Sequence, residues 1–116
     1  MSKKTVLVVD DEADVRAFVR SVLVRNGYEV LEAEDGQAAY ELVERLGGGI
    51  ELLVTDVKMP RMDGISLGKK VSQGYPRIGV LYISGFVSEG AKPGRPFLAK
   101  PFRADALVES LRRMAS

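Results

Sequence analysis

The sequence predicts an α/β fold in which a doubly wound parallel sheet is covered by helices on both faces. Short apolar runs alternate with segments of helical periodicity along the whole chain. The runs are continuous and rich in β-branched residues, which is typical of strands buried on both faces. Because parallel strands need crossover connections, this alternation favours a parallel sheet of five strands with helices on both sides.

The first half of the chain contains two predicted strand–helix pairs. Residues 5–9 form the first strand, and Gly27 is placed to end the helix that follows it. The apolar stripe of that helix has helical spacing and comprises Val15, Phe18, Val19, Val22 and Leu23. A second strand is predicted over residues 28–33, and Asp35 is predicted to cap the next helix. The apolar face of this second helix comprises Ala39, Leu42, Val43 and Leu46.

The second half continues the alternation with one interruption. A third strand is predicted over residues 50–55, and a helix is predicted to begin at Asp63-Gly64 and to end near Gly74. Strands over residues 79–83 and 97–99 follow, and a last helix begins after Pro101. Its apolar face comprises Ala104, Leu107, Val108, Leu111 and Ala115. The span between Ser84 and Phe97 is rich in Gly and Pro, so a fourth helix there is expected to be short or irregular, with a turn or two over residues 87–91.

The composition excludes several classes of site and partner. The chain has 116 residues, of which 17 are basic and 16 acidic, so its net charge of +1 creates no field that attracts nucleic acid. It has no Cys and no His, which excludes thiolate centres, imidazole bases and Ser-His-Asp triads. No apolar stretch approaches the roughly 20 residues of a membrane span. We therefore expect no direct nucleic-acid binding, no membrane insertion and a cytoplasmic location.

Polar residues follow the predicted strands at the edge of the sheet where their carboxyl ends meet. They are Asp10 and Asp11 after the first strand, Asp56 after the third, Ser84 after the fourth and Lys100 after the fifth. In open parallel sheets, ligands bind outside these strand ends. Three carboxylates at one edge repel one another and favour a bound cation, and oxygen ligands without His or Cys indicate Mg²⁺.

The same residues suit phosphoryl chemistry. Beside a bound Mg²⁺, Asp56 is either a metal ligand alone or a nucleophile that attacks phosphorus and forms an acyl phosphate. Lys100 can form an ion pair with a phosphoryl oxygen, and the hydroxyl of Ser84 can donate to another. The residues by themselves leave both roles of Asp56 open.

Four segments of the chain resemble, in this order, the receiver domain of two-component response regulators. They are Val8-Val9-Asp10-Asp11-Glu12, Thr55-Asp56-Val57-Lys58-Met59-Pro60-Arg61-Met62-Asp63-Gly64, Ile83-Ser84-Gly85 and Lys100-Pro101-Phe102. The resemblance spans the chain, and it implies a single receiver domain over residues 1–116. It also implies a flavodoxin-like fold with the sheet order 2-1-3-4-5, which agrees with the alternation described above.

The resemblance implies a role for each residue that matches the family pattern. Asp56 resembles the phosphoacceptor, which takes a phosphoryl group from the phospho-His of a histidine kinase or histidine phosphotransfer domain. Asp11 resembles the direct ligand of Mg²⁺, Asp10 the carboxylate that acts mainly through water, and Lys58 the residue whose backbone carbonyl binds the metal. The other matches are Ser84, which resembles the switch hydroxyl, Phe97, which occupies the position of the switch aromatic, and Lys100, which resembles the invariant-type lysine of the family pattern.

The implied function is that of a phosphoacceptor signalling domain that catalyses its own Mg²⁺-dependent phosphorylation and dephosphorylation. Phosphorylation would switch the region around Ser84 and Phe97 between two conformations. The loop residues around Ser84 and Lys100 look most like those of receivers attached to hybrid histidine kinases, and a weak homodimer is left open. Two alternatives remain, a Mg²⁺-dependent aspartyl phosphohydrolase and a pseudo-receiver that serves as a docking module without being phosphorylated.

Overall fold

The computed structural model describes residues 3–59, 61–85 and 97–115. In these residues the chain forms a parallel sheet of five strands in the order β2-β1-β3-β4-β5, so the predicted fold class and strand order are confirmed. The elements are β1 (Thr5–Val9), α1 (Ala13–Arg25), β2 (Glu29–Ala33), α2 (Gly36–Leu46), a 3₁₀ turn (Gly47–Gly49), β3 (Leu52–Asp56), α3 (Gly64–Gly74), β4 (Gly79–Ser84), β5 (Phe97–Ala99) and α4 (Ala104–Ala115).

The core has two layers, one on each face of the sheet. Val6 and Val8 of β1 belong to the layer that includes the buried faces of α1 and α4. Leu7 and Val9 belong to the layer that includes α2 and α3. Because successive side chains of a strand point to opposite faces, β1 is buried on both sides, as its continuous apolar run predicts.

The helix boundaries follow the side chains that the sequence supplies. The carboxylate of Asp35 accepts a hydrogen bond of 2.8 Å from the amide of Ala38, which confirms it as the cap of α2. Asp63 caps α3 in the same way, with a bond of 2.7 Å from the amide of Ser66. Gly27 follows the C-terminus of α1 with a φ of 90°, a left-handed conformation that glycine adopts without strain.

Three residues of the predicted apolar faces, Phe18, Leu46 and Ala104, are exposed. Phe18 and Leu46 are each 45% exposed. Helical spacing assigns a residue to a face of its helix, but it does not determine how far the neighbouring elements extend along that face. The ring of Phe18 lies instead beside that of Phe102, with 5.9 Å between the ring centroids.

Four strand boundaries differ from the prediction. Strand β2 begins at Glu29 instead of residue 28, and β3 begins at Leu52 instead of residue 50. Asp56 and Ser84 are the last residues of β3 and β4, whereas the sequence placed each directly after its strand. The span from 86 to 96, with the predicted turns over 87–91 and the short or irregular helix, lies outside the described residues. None of the helices in the described ranges is long and apolar enough to cross a membrane.

Candidate functional site

Three aspartates meet at the carboxyl edge of the sheet. Asp10 follows β1 and Asp56 ends β3, and these strands are neighbours paired through Val9 and Thr55. One carboxylate oxygen from each of Asp10, Asp11 and Asp56 lies within 4.8 Å of the others. Asp10 and Asp56 are buried, whereas Asp11 is exposed. The structure therefore brings together the three carboxylates that sequence reasoning assigned to one metal site.

The side chain of Lys100 extends from the end of β5 into this carboxylate cluster. Its Nζ donates a hydrogen bond of 3.1 Å to Oδ2 of Asp10 and lies 3.7 Å from Oδ2 of Asp56. It also lies 3.6 Å from Oε1 of Glu12. Burial by itself would lower the pKa of Lys100, but the hydrogen bond and charge of Asp10 and the charges of Asp56 and Glu12 outweigh burial and raise the pKa. The surrounding carboxylates therefore stabilise the charged form of Lys100.

Asp56 has an unusual titration. Its pKa is raised from an ordinary value of 3.8 to about 6, chiefly because the carboxyl group is buried and next because of the negative charge of Asp10. Lys100 opposes this rise, as does the amide of Val57, which donates a hydrogen bond of 2.9 Å to Oδ1 of Asp56. The carboxylate is thus largely ionised above pH 7, but it is held in a position that penalises its charge.

The remaining predicted site residues lie around this centre. Ser84 is buried at the end of β4, one residue beyond Ile83, the partner of Asp56 on the neighbouring strand. Its carbonyl accepts a hydrogen bond of 2.8 Å from the amide of Lys100. Phe97 begins β5, pairs with Tyr82 in the sheet register, and is partly buried in the layer of α2 and α3. Lys58 follows Asp56 by two residues and has an exposed side chain.

Sequence reasoning assigned no site role to two residues that shape this centre. The amide of Glu12 donates a hydrogen bond of 2.9 Å to Oδ1 of Asp10, and the Glu12 carboxylate faces Lys100. Gly64 lies so close to the strand end that a Cβ atom there would collide with the backbone carbonyl of Asp56. The position of Glu12 directly after Asp10 and Asp11 in the sequence could have indicated its place at the site. No local sequence pattern indicated that Gly64 lies so close to the backbone of Asp56.

The donor set fits Mg²⁺. It consists of carboxylate oxygens, which are the ligands that this hard cation prefers, and the chain has no His or Cys that could add an imidazole or thiolate ligand. A divalent cation would also offset the repulsion that contributes to the raised pKa of Asp56.

Replacing Asp56 with asparagine is expected to stabilise the metal-free protein. The substitution keeps the size of the side chain and removes a charge that folding disfavours. A pKa raised from 3.8 to about 6 corresponds to about 2 to 3 kcal/mol of unfolding free energy above pH 7. Below pH 3.8 the group is protonated in both the folded and unfolded states, so the penalty is absent. The gain in the variant should therefore grow between pH 4 and about 6 and then level off.

Urea unfolding in EDTA at a series of pH values measures this gain. The matched control is Asp105→Asn, which makes the same chemical change at a side chain that is 76% exposed on α4. The control should change stability by less than about 0.5 kcal/mol at every pH. A gain for Asp56→Asn that is equal at pH 4 and pH 8 would contradict burial of the charge as its cause.

The chain is similar to known proteins over nearly its whole length. The family described as response regulator receiver domain matches residues 6–112. The chain is 36% identical to the sensor kinase CckA of Brucella abortus over 95% of its own length, which is 12% of that protein. It is 32% identical to the response regulator receiver protein CpdR of the same organism, over 96% of both chains.

Solved structures give the same result. Chemotaxis protein CheY4 of Vibrio cholerae superimposes with a TM-score of 0.89 at 29% identity, over 97% of this chain and 99% of that one. The receiver domain of the hybrid histidine kinase CckA superimposes with a TM-score of 0.84 at 39% identity, over the same shares of the two chains. Both likenesses therefore extend over nearly the entire sheet and its helices.

Proposed function

This chain belongs to the response regulator receiver domain family and is a receiver domain of two-component systems, and on that premise we propose that Asp56 is its phosphoacceptor. The observation that carries the proposal is the position of Asp56. It is buried at the end of β3, within reach of two further carboxylates, and its Oδ2 lies 3.7 Å from Nζ of Lys100. The Asp56 carboxylate therefore lies next to the carboxylates that could hold a cation and next to the positive charge of Lys100.

In the proposed reaction, an oxygen of the Asp56 carboxylate attacks the phosphorus of a phospho-His. An O–P bond forms as the N–P bond breaks, and the departing imidazole nitrogen keeps the electron pair of that bond. Asp10, Asp11, Asp56 and the backbone carbonyl of Lys58 would hold Mg²⁺, which when bound neutralises negative charge on the phosphoryl oxygens. Lys100 pairs with one of those oxygens, and the hydroxyl of Ser84 donates to another.

The same step supplies a switch. A phosphoryl group adds about two negative charges and strong hydrogen-bond acceptors at Asp56. Ser84 moves toward the new acceptors, and Phe97 rotates into the space that Ser84 leaves. The register supports this order of events: Phe97 pairs with Tyr82, two residues before Ser84, so the alternation of side chains along a strand places Ser84 and Phe97 on the same face of the sheet.

The donor partner in this proposal is a histidine kinase or a histidine phosphotransfer domain, in the cytoplasm. Similarity to the CckA kinase and to the receiver of a hybrid kinase supports a place within a hybrid histidine kinase. CpdR, which the chain matches over nearly its full length, represents the alternative of a separate receiver protein.

Acetyl phosphate, which replaces the kinase as donor, tests the proposal directly. With Mg²⁺ present, the intact mass of the chain should increase by one phosphoryl group, and with EDTA it should not. The phosphohydrolase alternative predicts instead continuous release of phosphate from a simple phosphate monoester. The docking-module alternative predicts no mass increase and no binding of beryllofluoride. The proposal would be overturned by the outcome that the phosphohydrolase alternative predicts or by the outcome that the docking-module alternative predicts.

A further inference from the structure

The guanidinium of Arg16 contacts the backbone that carries the carboxylate cluster. Arg16 lies in the first turns of α1, and its side chain is 19% exposed. Its Nη1 donates a hydrogen bond of 2.7 Å to the backbone carbonyl of Asp10, and its Nε lies 3.4 Å from Oε1 of Glu32 on β2. One planar group thus joins the end of β1 to α1 and to β2.

The bond to Asp10 restrains the peptide group that links Asp10 to Asp11. The amide of Asp10 donates to the carbonyl of Ala33 over 3.2 Å, and the amide of Glu12 donates to Oδ1 of Asp10 over 2.9 Å. Arg16 adds the third restraint, because it binds the carbonyl of Asp10, which lies along the chain between these two amides. Because Asp11 is exposed, the direction of its carboxylate depends on the backbone that carries it.

We propose that Arg16 is a positioning residue that orients the Asp10–Asp11 segment for cation binding. It touches neither the cation nor the phosphoryl group, and it acts through the carbonyl of Asp10. Groups that orient metal ligands through hydrogen bonds commonly change metal affinity by tenfold or more when they are removed. The part of this inference that concerns Mg²⁺ rests on the proposed function, whereas the restraint on the backbone does not.

Arg20 provides a matched control. It lies one turn further along the same helix, and its Nη1 pairs over 2.8 Å with the other oxygen of Glu32. Its partner is thus the same carboxylate, but in the described part of the chain it makes no contact with Asp10. Arg16→Met and Arg20→Met therefore remove the same charge from the same helix and differ in the bond to the Asp10 carbonyl.

Two measurements on these variants test the proposal. Isothermal titration calorimetry should give a Mg²⁺ dissociation constant about tenfold higher for Arg16→Met than for the unaltered chain, and within about twofold of it for Arg20→Met. In the metal-free protein, hydrogen exchange of the Glu12 amide should become faster in Arg16→Met and stay unchanged in Arg20→Met. A general loss of stability would accelerate exchange throughout α1, and it would not single out this amide.

The outcomes separate this inference from the proposed function. If the unaltered chain binds Mg²⁺ and Arg16→Met binds it equally well, the positioning role is wrong and the proposed function stands. If the unaltered chain binds no Mg²⁺, the proposed metal site is wrong, and the exchange rate of the Glu12 amide alone tests the backbone role of Arg16. Faster exchange in Arg16→Met supports that role, and unchanged exchange overturns it. Arg16→Lys keeps the charge with a smaller donor group and should give intermediate values, and it replaces Arg16→Met if that variant fails to fold.

Discussion

The variant Asp56→Asn is expected to lose phosphoryl uptake from acetyl phosphate in the presence of Mg²⁺, by a factor on the order of a thousand or more. An amide oxygen is a far weaker nucleophile than a carboxylate oxygen, and the substitution also removes one charge from the cation site. The residual carboxylates, Asp10 and Asp11, lie within 4.8 Å of the lost oxygen. Neither takes its place, because Asp10 is bound by Lys100 and the amide of Glu12, and Asp11 is exposed.

Time courses of intact mass measure this loss, and two observations make it interpretable. Asp105→Asn, the exposed control on α4, should take up phosphoryl groups at the rate of the unaltered chain. Asp56→Asn itself should be more stable than the unaltered chain in EDTA, so its inactivity cannot be attributed to unfolding. Uptake in Asp56→Asn at more than about a tenth of the normal rate would assign the phosphoacceptor to another residue.

The variant Gly64→Ala is expected to lose about 3 kcal/mol of unfolding free energy, the largest loss expected for one added methyl group at a glycine of this helix. A Cβ atom at Gly64 would collide with the backbone carbonyl of Asp56 and lie 3.1 Å from Oγ1 of Thr55. The amide of Gly64 is also bound to the carbonyl of Val57 over 2.8 Å. Because the added Cβ atom is fixed to the helix backbone and meets a backbone carbonyl, no flexible side chain can move to relieve the collision.

Gly74→Ala is the matched control, because Gly74 ends the same helix and a Cβ atom there would meet no atom within 4 Å. Its unfolding free energy in urea should stay within about 1 kcal/mol of that of the unaltered chain. Gly64→Ala should also take up phosphoryl groups more slowly, since relief of the collision displaces the end of β3. Equal stability of Gly64→Ala and Gly74→Ala would contradict the close approach.

Much of the fold was predictable because its signals are local. The apolar run of residues 5–9 is buried on both faces, and Asp35 and Asp63 stand at the caps of α2 and α3 where their residue types favour them. The burial of Phe18, Leu46 and Ala104 was predicted wrongly, because it depends on where other elements end and not on the spacing within a helix.

The candidate site divides in the same way. That Asp10, Asp11, Asp56 and Lys100 would share one edge followed from the parallel order of the strands, since each residue follows or ends a strand that points the same way. Glu12 faces Lys100, Arg16 binds the carbonyl of Asp10, and Gly64 packs against Asp56. These contacts join segments whose relative positions no local pattern specifies.

The sequence by itself therefore determined the class of fold and the kinds of chemical group that meet at the edge of the sheet. The tertiary structure decided how those groups behave. The pKa of Asp56 rises to about 6 because packing buries its carboxyl group next to Asp10, and Lys100 faces three carboxylates because β5 ends beside them. Burial and charge–charge distances depend on residues far apart in the chain, so they emerge when the sheet and helices assemble.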